Sequence, residues 1–275
     1  MRRNIFLYLL LLPLFLVLLL FLAWPMVLVL WESFFVEGKL SLSNYMSMFT
    51  SKLYRESLRT SITLSLTTTV IGTLCGIPLS YALYRSGGRL KALMLSITPV
   101  PLTFSGLVVG FAFIILLGAS GFITLLLSKA FDINPLEFSS FLFTWKGLVV
   151  AYLYFLIPRM ILTMISAWSK ADWSLIEAAA SLGASRWMTL HKVLLPMLWP
   201  AVLAGSSLLF AVSMGAFGTA FALTGTGVKI LPLVIYTHVS EVSVDIGRAD
   251  ALAIILALVT TVLILIYERA FAARR

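Results

Sequence analysis

The sequence predicts an all-α integral membrane protein of six transmembrane helices, with a polar elbow between the fourth and the fifth. Three observations lead there. Hydrophobic residues make up 61% of the chain and charged ones 11%, with a mean hydropathy of +1.05, whereas a soluble domain is about half apolar and about a quarter charged. Nearly charge-free stretches of the roughly 20 residues that cross the hydrocarbon recur six times. The excess of 20 Lys and Arg over 11 Asp and Glu, a net +9, sorts to one side of those stretches. One Cys (Cys75) and two His (His191, His238) leave neither a disulfide framework nor a Cys/His metal cluster.

The first stretch runs from Asn4 to Trp31, after Arg2-Arg3. A secretory signal has an apolar core of only about 7–15 residues and then a small-residue cleavage site, whereas Trp24-Pro25-Met26 and Trp31-Glu32 close this one. It is therefore read as an uncleaved helix. The second runs from Thr60 to Tyr84 and stops at the basic turn Arg85-Ser-Gly-Gly-Arg89-Leu-Lys91. The third begins at Ala92 and is too long for one span, so Gly118-Ala-Ser-Gly121 is expected to end its helix. The fourth, Gly147 to Ser169, is interrupted only by Arg159. The fifth is expected from Met197, after Pro196, to the Gly225-Thr-Gly227 turn, and the sixth from Ala249 to Tyr267.

An even count puts both termini on one side, and both are basic, which places them in the cytoplasm. The external loops then carry eight basic residues against eight acidic ones, and the cytoplasmic side twelve against three. The net charge is thus a topology signal and not a nucleic-acid patch. The third external loop, Gly227 to Gly247, is semi-apolar and contains His238. Two readings of it stay open, an outer gate or docking loop and a plain surface loop.

The segment Lys170–Met197 is too polar to span and too apolar for a solvated loop. Ser174-Leu-Ile-Glu177 has the form of a capping box that starts a helix, Gly183 suits a left-handed cap that ends it, and Ser185 suits the cap of a second short helix ending at Pro196. The elbow so formed presents Ala178, Ala179, Leu182, Trp187 and Met188, an apolar patch that wants a partner.

Glu177-Ala178-Ala179, three residues, Gly183, nine residues, Val193, one residue and Leu195-Pro196 resembles the EAA motif of permease subunits of binding-protein-dependent ABC importers. Val193 stands where Ile is usual, the one departure. Leu40-Ser-Leu-Ser-Asn44-Tyr45, Gly76-Ile-Pro78-Leu-Ser80-Tyr81-Ala82-Leu83 and Leu231-Pro232-Leu-Val-Ile-Tyr236 extend the resemblance, which is strongest to the branch moving spermidine/putrescine, ferric iron and aminophosphonates. It implies a bacterial inner-membrane subunit with residues 1–57 as a first helix and external loop, 58–270 as a five-helix core and 271–275 as a basic cytoplasmic tail. The elbow would be a coupling helix docked in a cytoplasmic ATP-binding subunit, with Glu177, Ala178, Ala179, Leu182, Gly183, Leu195 and Pro196 at the contact. A second permease copy or paralogue and an extracytoplasmic solute-binding protein complete the implied assembly, which works by alternating access. A phosphate-cradling loop needs GxxxxGK[ST], and the only Gly-Lys pair, Gly38-Lys39, is followed by Leu40. No cofactor is therefore expected on this chain, the ATP belongs to the partner, and the chain is not itself an enzyme.

Small residues at Ser61, Ser65, Thr69, Gly72, Gly76 and Ser80 lie mostly four apart on one face of the second span, with Gly106-xxx-Gly110 in the third and Gly205, Ser207, Ser213, Gly215 and Gly218 in the fifth. Close helix packing accounts for such stripes, while Ser65, Gly72, Gly76, Ser213 and Gly218 are also candidates for a polar path. Arg159 is the sharpest anomaly, about 18 Å by helical rise from the outer end of the fourth span. It either snorkels or pairs with an acid of the elbow, or it faces the path and favours an anionic solute. Two other classes compete. A secondary transporter or channel lacks paired intramembrane acids for ion coupling here. A rhomboid-like serine protease would use Gly118-Ala-Ser120-Gly121 but needs a His within reach of Ser120.

Overall fold

The computed structural model describes residues 11–36, 38–240 and 244–272. Six helical segments among them are long and apolar enough to cross a membrane, one of which, Gly106–Phe131, runs through the turn at Gly118–Gly121. Helix α1 is Leu11–Glu32, followed by a two-residue antiparallel hairpin, β1 Phe35–Val36 and β2 Lys39–Leu40, with Phe35 opposite Leu40. Then come α2 Ser43–Thr50, α3 Lys52–Arg85, α4 Gly88–Ile97, α5 Val100–Thr103, α6 Gly106–Leu117, α7 Phe122–Phe131, α8 Pro135–Ser140 and α9 Trp145–Lys170. The elbow helix is α10 Ser174–Ser181, and α11 runs Arg186–Met214. The chain closes with α12 Gly218–Thr224, α13 Leu231–Ser240 and α14 Ile246–Ala272.

The core is the meeting of α3, α9 and α11. In lipid there is no hydrophobic drive to bring helices together, so close packing has to do it. Met160 of α9, fully buried, fills the space left by two glycines. A Cβ on Gly76 of α3 would lie 2.6 Å from the Met160 Cβ, and one on Gly205 of α11 would lie 2.7 Å from its Sδ. Gly72 makes a similar approach to Leu209, where a Cβ would stand 3.0 Å from Cδ2. Around this point Leu64, Leu148, Tyr152, Leu156, Met164 and Leu209 are buried. A second small core of Met48, Tyr54, Leu231, Val234 and Leu252 closes the opposite end from the elbow.

Several boundaries depart from the sequence expectation, each for a local reason. The third span is not one helix from Ala92. It is broken at Pro99 and again at Phe104-Ser105, because Pro99 and Pro101 lack donors and disfavour helix before them, while Ser105 restarts α6 by accepting the Val108 N–H. The turn at Gly118–Gly121 is where it was expected. The fifth span does not begin after Pro196. One continuous helix runs from the elbow to Met214, with a π turn at Leu190–Leu194 just ahead of Pro196, which re-spaces the carbonyls that the proline cannot serve. It then breaks at Gly215–Phe217 and resumes as α12. The second and sixth helices extend beyond 60–84 and 249–267, to Lys52–Arg85 and Ile246–Ala272. The stretch expected as an external loop folds into α13, whose Leu231–Val234 are buried and whose Leu231 N–H donates to Ser61 Oγ at 2.8 Å. No residue of α1 is buried inside the chain. Residues 1–10, with Arg2-Arg3 and the start of the predicted first span, and 273–275 of the basic tail lie outside the described residues.

α1 is tied down at one end by a polar knot. Asn44 Nδ2 donates to the carbonyls of Ser33 at 3.1 Å and Phe35 at 3.2 Å. Ser33 Oγ and Tyr45 Oη share a hydrogen bond of 2.6 Å. Gly247, at the start of α14, leaves room for this, since a Cβ there would stand 2.6 Å from the Phe35 carbonyl oxygen.

Replacing Gly76 by Leu should overpack the Met160 contact and cost about 1–3 kcal/mol, read as a lower thermal unfolding midpoint in detergent. Gly87→Ala, where nothing lies within 4 Å of the added carbon, should leave the midpoint unchanged, and equal midpoints for both variants would contradict the packing described.

Candidate functional site

The elbow is assembled from caps. Asp172 Oδ1 accepts both the Ser174 N–H at 3.1 Å and the Ser174 hydroxyl at 2.6 Å, so Asp172 and not a Ser174–Glu177 box starts α10. That corrects the expected capping box: Ser174 is already helical, its own hydroxyl is spent on Asp172, and the Glu177 side chain makes no hydrogen bond or ion pair among the described residues. The end of α10 is as the sequence implied. Gly183 has φ +80°, its N–H donates to Ala180 O at 3.0 Å, and the Ala184 N–H donates to Ala179 O at 3.0 Å. This pair of reversed bonds is the Schellman closure, which needs a left-handed residue at that position. Ser185 Oγ then accepts the Met188 N–H at 3.2 Å and opens α11.

Held this way, the elbow turns its apolar residues outward. Leu182 is 89% exposed and Trp187 70%, with Leu175 and Met188 about them at 50% and 47%. Ala178 and Glu177 are exposed too and Ala179 half-buried. Leu195 and Pro196 are exposed further along α11, not at the end of a separate elbow helix.

The inner side of the elbow is fixed by aromatic rings that sequence reasoning did not single out. Trp173 stacks on Tyr84 at 5.7 Å and 9° and on Trp168 at 6.2 Å and 22°. Trp168 packs on Tyr81 at 5.0 Å and donates its indole N–H to Ser80 Oγ at 3.0 Å. Lys91 Nζ lies 5.2 Å from the Tyr84 ring centre and donates to the Tyr84 carbonyl at 3.0 Å. The elbow is therefore clamped to the ends of α3 and α9. The available signal was compositional: two tyrosines and a serine within Ser80–Tyr84, facing two tryptophans that flank the Lys170 turn.

Among the path candidates, the structure separates two groups. Ser65, Gly72 and Gly76 are buried in α3, the glycines as packing sites. The Ser65 hydroxyl has no hydrogen-bond partner among the described residues. Ser213 shares a 2.9 Å hydrogen bond with Thr68. Arg159 and Gly218, by contrast, line one cavity of about 260 Å³ together with Phe104, Gly106, Phe155 and Thr219. Cys75 is half-buried on α3. The Gly118–Gly121 turn lines a different hollow with Ile114, Ile115 and Phe143, so no histidine joins Ser120. His238 instead hydrogen-bonds Tyr54 Oη at 2.9 Å, and His191 packs on Trp187 at 4.2 Å. Among the described residues no group of His, Cys, Asp and Glu could hold a metal ion.

A helical bundle with six membrane-spanning segments and a capped, exposed apolar elbow between two of them is the framework of a multi-pass membrane protein. Residues 68–273 match the model of the binding-protein-dependent transport system inner membrane component, and the chain belongs to that family, the permease components of ABC importers. It is 28% identical to the spermidine/putrescine transport system permease protein PotB of Haemophilus influenzae over 86% of this chain and 81% of the relative. It is 30% identical to the molybdenum transport system permease protein ModB of the same organism over 74% and 90%. Its backbone superposes with a TM-score of 0.76 on a chain of a bacterial ABC transporter involved in alginate import, at 18% identity and covering 98% of this chain and 96% of that one, which is a likeness of fold.

Replacing Asp172 by Ala should loosen α10 by about 1 kcal/mol, the usual cost of a lost N-terminal cap. Amide exchange across Ser174–Ser181 in nanodiscs should quicken accordingly, whereas Ser174→Ala, which keeps the Asp172 bond to the backbone, should change it less.

Proposed function

We propose that this chain is the membrane half of an ATP-driven importer for a small solute, and that its elbow is the surface on which a separate ATP-binding subunit docks. The single observation that carries this is the elbow's construction. Two caps and an aromatic clamp hold an exposed patch of Leu175, Leu182, Trp187 and Met188 in a fixed attitude, at the end of a continuous helix. A patch of that kind has no use in water without a partner, and rigidity is what force transmission requires. The distribution of basic residues supports its placement on the cytoplasmic side. Family membership supports a division of labour in which ATP is bound elsewhere.

The remaining partners follow from the same reading. A binding protein delivers the solute on the opposite side; one solved relative of this fold is an alginate importer in complex with a periplasmic protein bound to its oligosaccharide. A second permease copy or a paralogue shares the path, which leaves a lipid- or partner-facing surface such as that of α1. The solute belongs to the small, charged class named for the relatives, whose systems carry polyamines in one case and molybdenum in the other.

Gly183→Asp puts a side chain and a negative charge at the left-handed residue that closes α10, beside the exposed apolar patch, and Glu177→Lys reverses the charge on the patch. Each should abolish co-purification of the ATP-binding subunit and solute uptake while the permease stays in the membrane fraction. Stoichiometric co-purification together with full uptake in both variants would remove the coupling role from the elbow.

A further inference from the structure

Arg159 occupies a place where a cation is hard to keep. It is about 21 Å along α9 from Trp145 and about 16 Å from Lys170 by helical rise, and a guanidinium does not lose its proton there. Such a charge is normally paired or carried to the interface by its flexible stem. Neither holds here. Among the described residues the ion pairs are Lys52–Glu56 and Arg248–Asp245, and the Arg159 guanidinium forms no hydrogen bond with any of them. Its Cζ lies 5.8 Å from the centre of the Phe155 ring, one turn back towards Trp145. The side chain therefore points away from the Lys170 end, as helical side chains do, and does not reach towards the elbow.

Arg159 lines the cavity of about 260 Å³ between α5, α6, α9, α11 and α12. Its wall is made where two spans are interrupted, at Phe104-Ser105 and at Gly215–Phe217. Irregular backbone is tolerated at membrane depth only inside protein or beside a polar cavity, and here it is fastened in place. Tyr152 Oη donates to the Ala216 carbonyl at 2.6 Å and Thr219 Oγ1 to the Gly106 carbonyl at 2.9 Å. These two carbonyls are thereby committed, and Arg159 is the sole charged residue among those that line the cavity. The guanidinium sits over the Phe155 ring, and its planar fork of N–H groups is the kind that grips two oxygens at once.

We propose that this cavity is a binding point for an oxyanion, and that the transported solute is a small anion bearing a phosphoryl-like or tetrahedral oxo group. This rests on the permease reading above and narrows its solute class. A polyamine would meet an unbalanced positive charge in a site of low dielectric, whereas an oxyanion supplies the missing counter-charge and accepts the free N–H groups. Phe104, half exposed at the cavity rim, gives the anion an entry past an aromatic edge.

The test uses proteoliposomes of the whole importer, with permease, ATP-binding subunit and binding protein, and follows ATP-driven uptake of radiolabelled phosphate, molybdate, methylphosphonate and spermidine. One of the three anions should accumulate. Arg159→Gln should lower that uptake roughly tenfold or more, as expected for losing hydrogen bonds to a charged group, and Arg159→Lys should recover part of it with a higher KM. Accumulation of spermidine alone, or of none of the four by an assembled complex, overturns the proposal, as does anion uptake that Arg159→Gln leaves unchanged. Should the glutamine variant fail to assemble, the wild-type solute and the lysine variant still decide. Failure of the ATP-binding subunit to co-purify with the wild-type permease would instead strike at the underlying reading.

Discussion

The fold depends on the contact between one methionine and two absent side chains. Met160 projects into the space where Gly76 and Gly205 carry no Cβ, and three spans are thereby brought to one point. In water, a core of this size would be driven together by the loss of apolar surface. In lipid that drive is missing and dispersion at close range has to suffice. The spacing of the glycines thus matters more than the hydrophobicity of their neighbours. It also fixes the lateral positions of Ser80 and Trp168 further along the same helices, and through their hydrogen bond the seat of the elbow.

A second constraint is the hydrogen-bonding of the backbone. Each interruption of a span exposes donors and acceptors that hydrocarbon cannot satisfy. The two interruptions beside Arg159 are adjacent in space, and each is covered by a hydroxyl from another element, Tyr152 on one and Thr219 on the other. The cavity is thus a built feature, because its irregular walls would be costly anywhere less well supplied. At the opposite end from the elbow, the same economy of hydroxyls and amides produces the Ser33–Asn44–Tyr45 knot that anchors α1.

The spans were legible in the sequence because twenty uncharged residues admit few alternatives, and Gly183 and Ser185 were legible because left-handed and capping positions are chemically selective. Asp172 was missed although it is as good a cap as Ser174. Two capping residues lay two positions apart, and only the fold decides which of them stays outside the helix. The breaks at Phe104-Ser105 and Gly215–Phe217 lay inside uniformly apolar text. There Pro99, Pro101 and Gly215 were signals, yet prolines at 78 and 158 in the same chain sit within unbroken helices, so the residue type alone could not discriminate. The aromatic clamp was illegible for a different reason: it joins Tyr84 to Trp173, and no local pattern reports a contact between distant segments. Arg159 stood out as an anomaly, but whether it snorkelled or faced inward depended on the packing of α5, α6 and α11 around it.

The π turn at Leu190–Leu194 has a consequence best expressed as an angle. An α-helix advances by about 100° per residue, and a π turn accommodates one extra residue without ending the helix. The face that carries Trp187 and Met188 is accordingly rotated by about that amount from where an uninterrupted helix would aim it, relative to the buried face at Ser206 and Ser213. A single residue thus sets the phase between the surface of the elbow and the interior of the bundle. Winding that turn back to α geometry would swing one against the other about the helix axis, with no change in the length or the contacts of the helix beyond it.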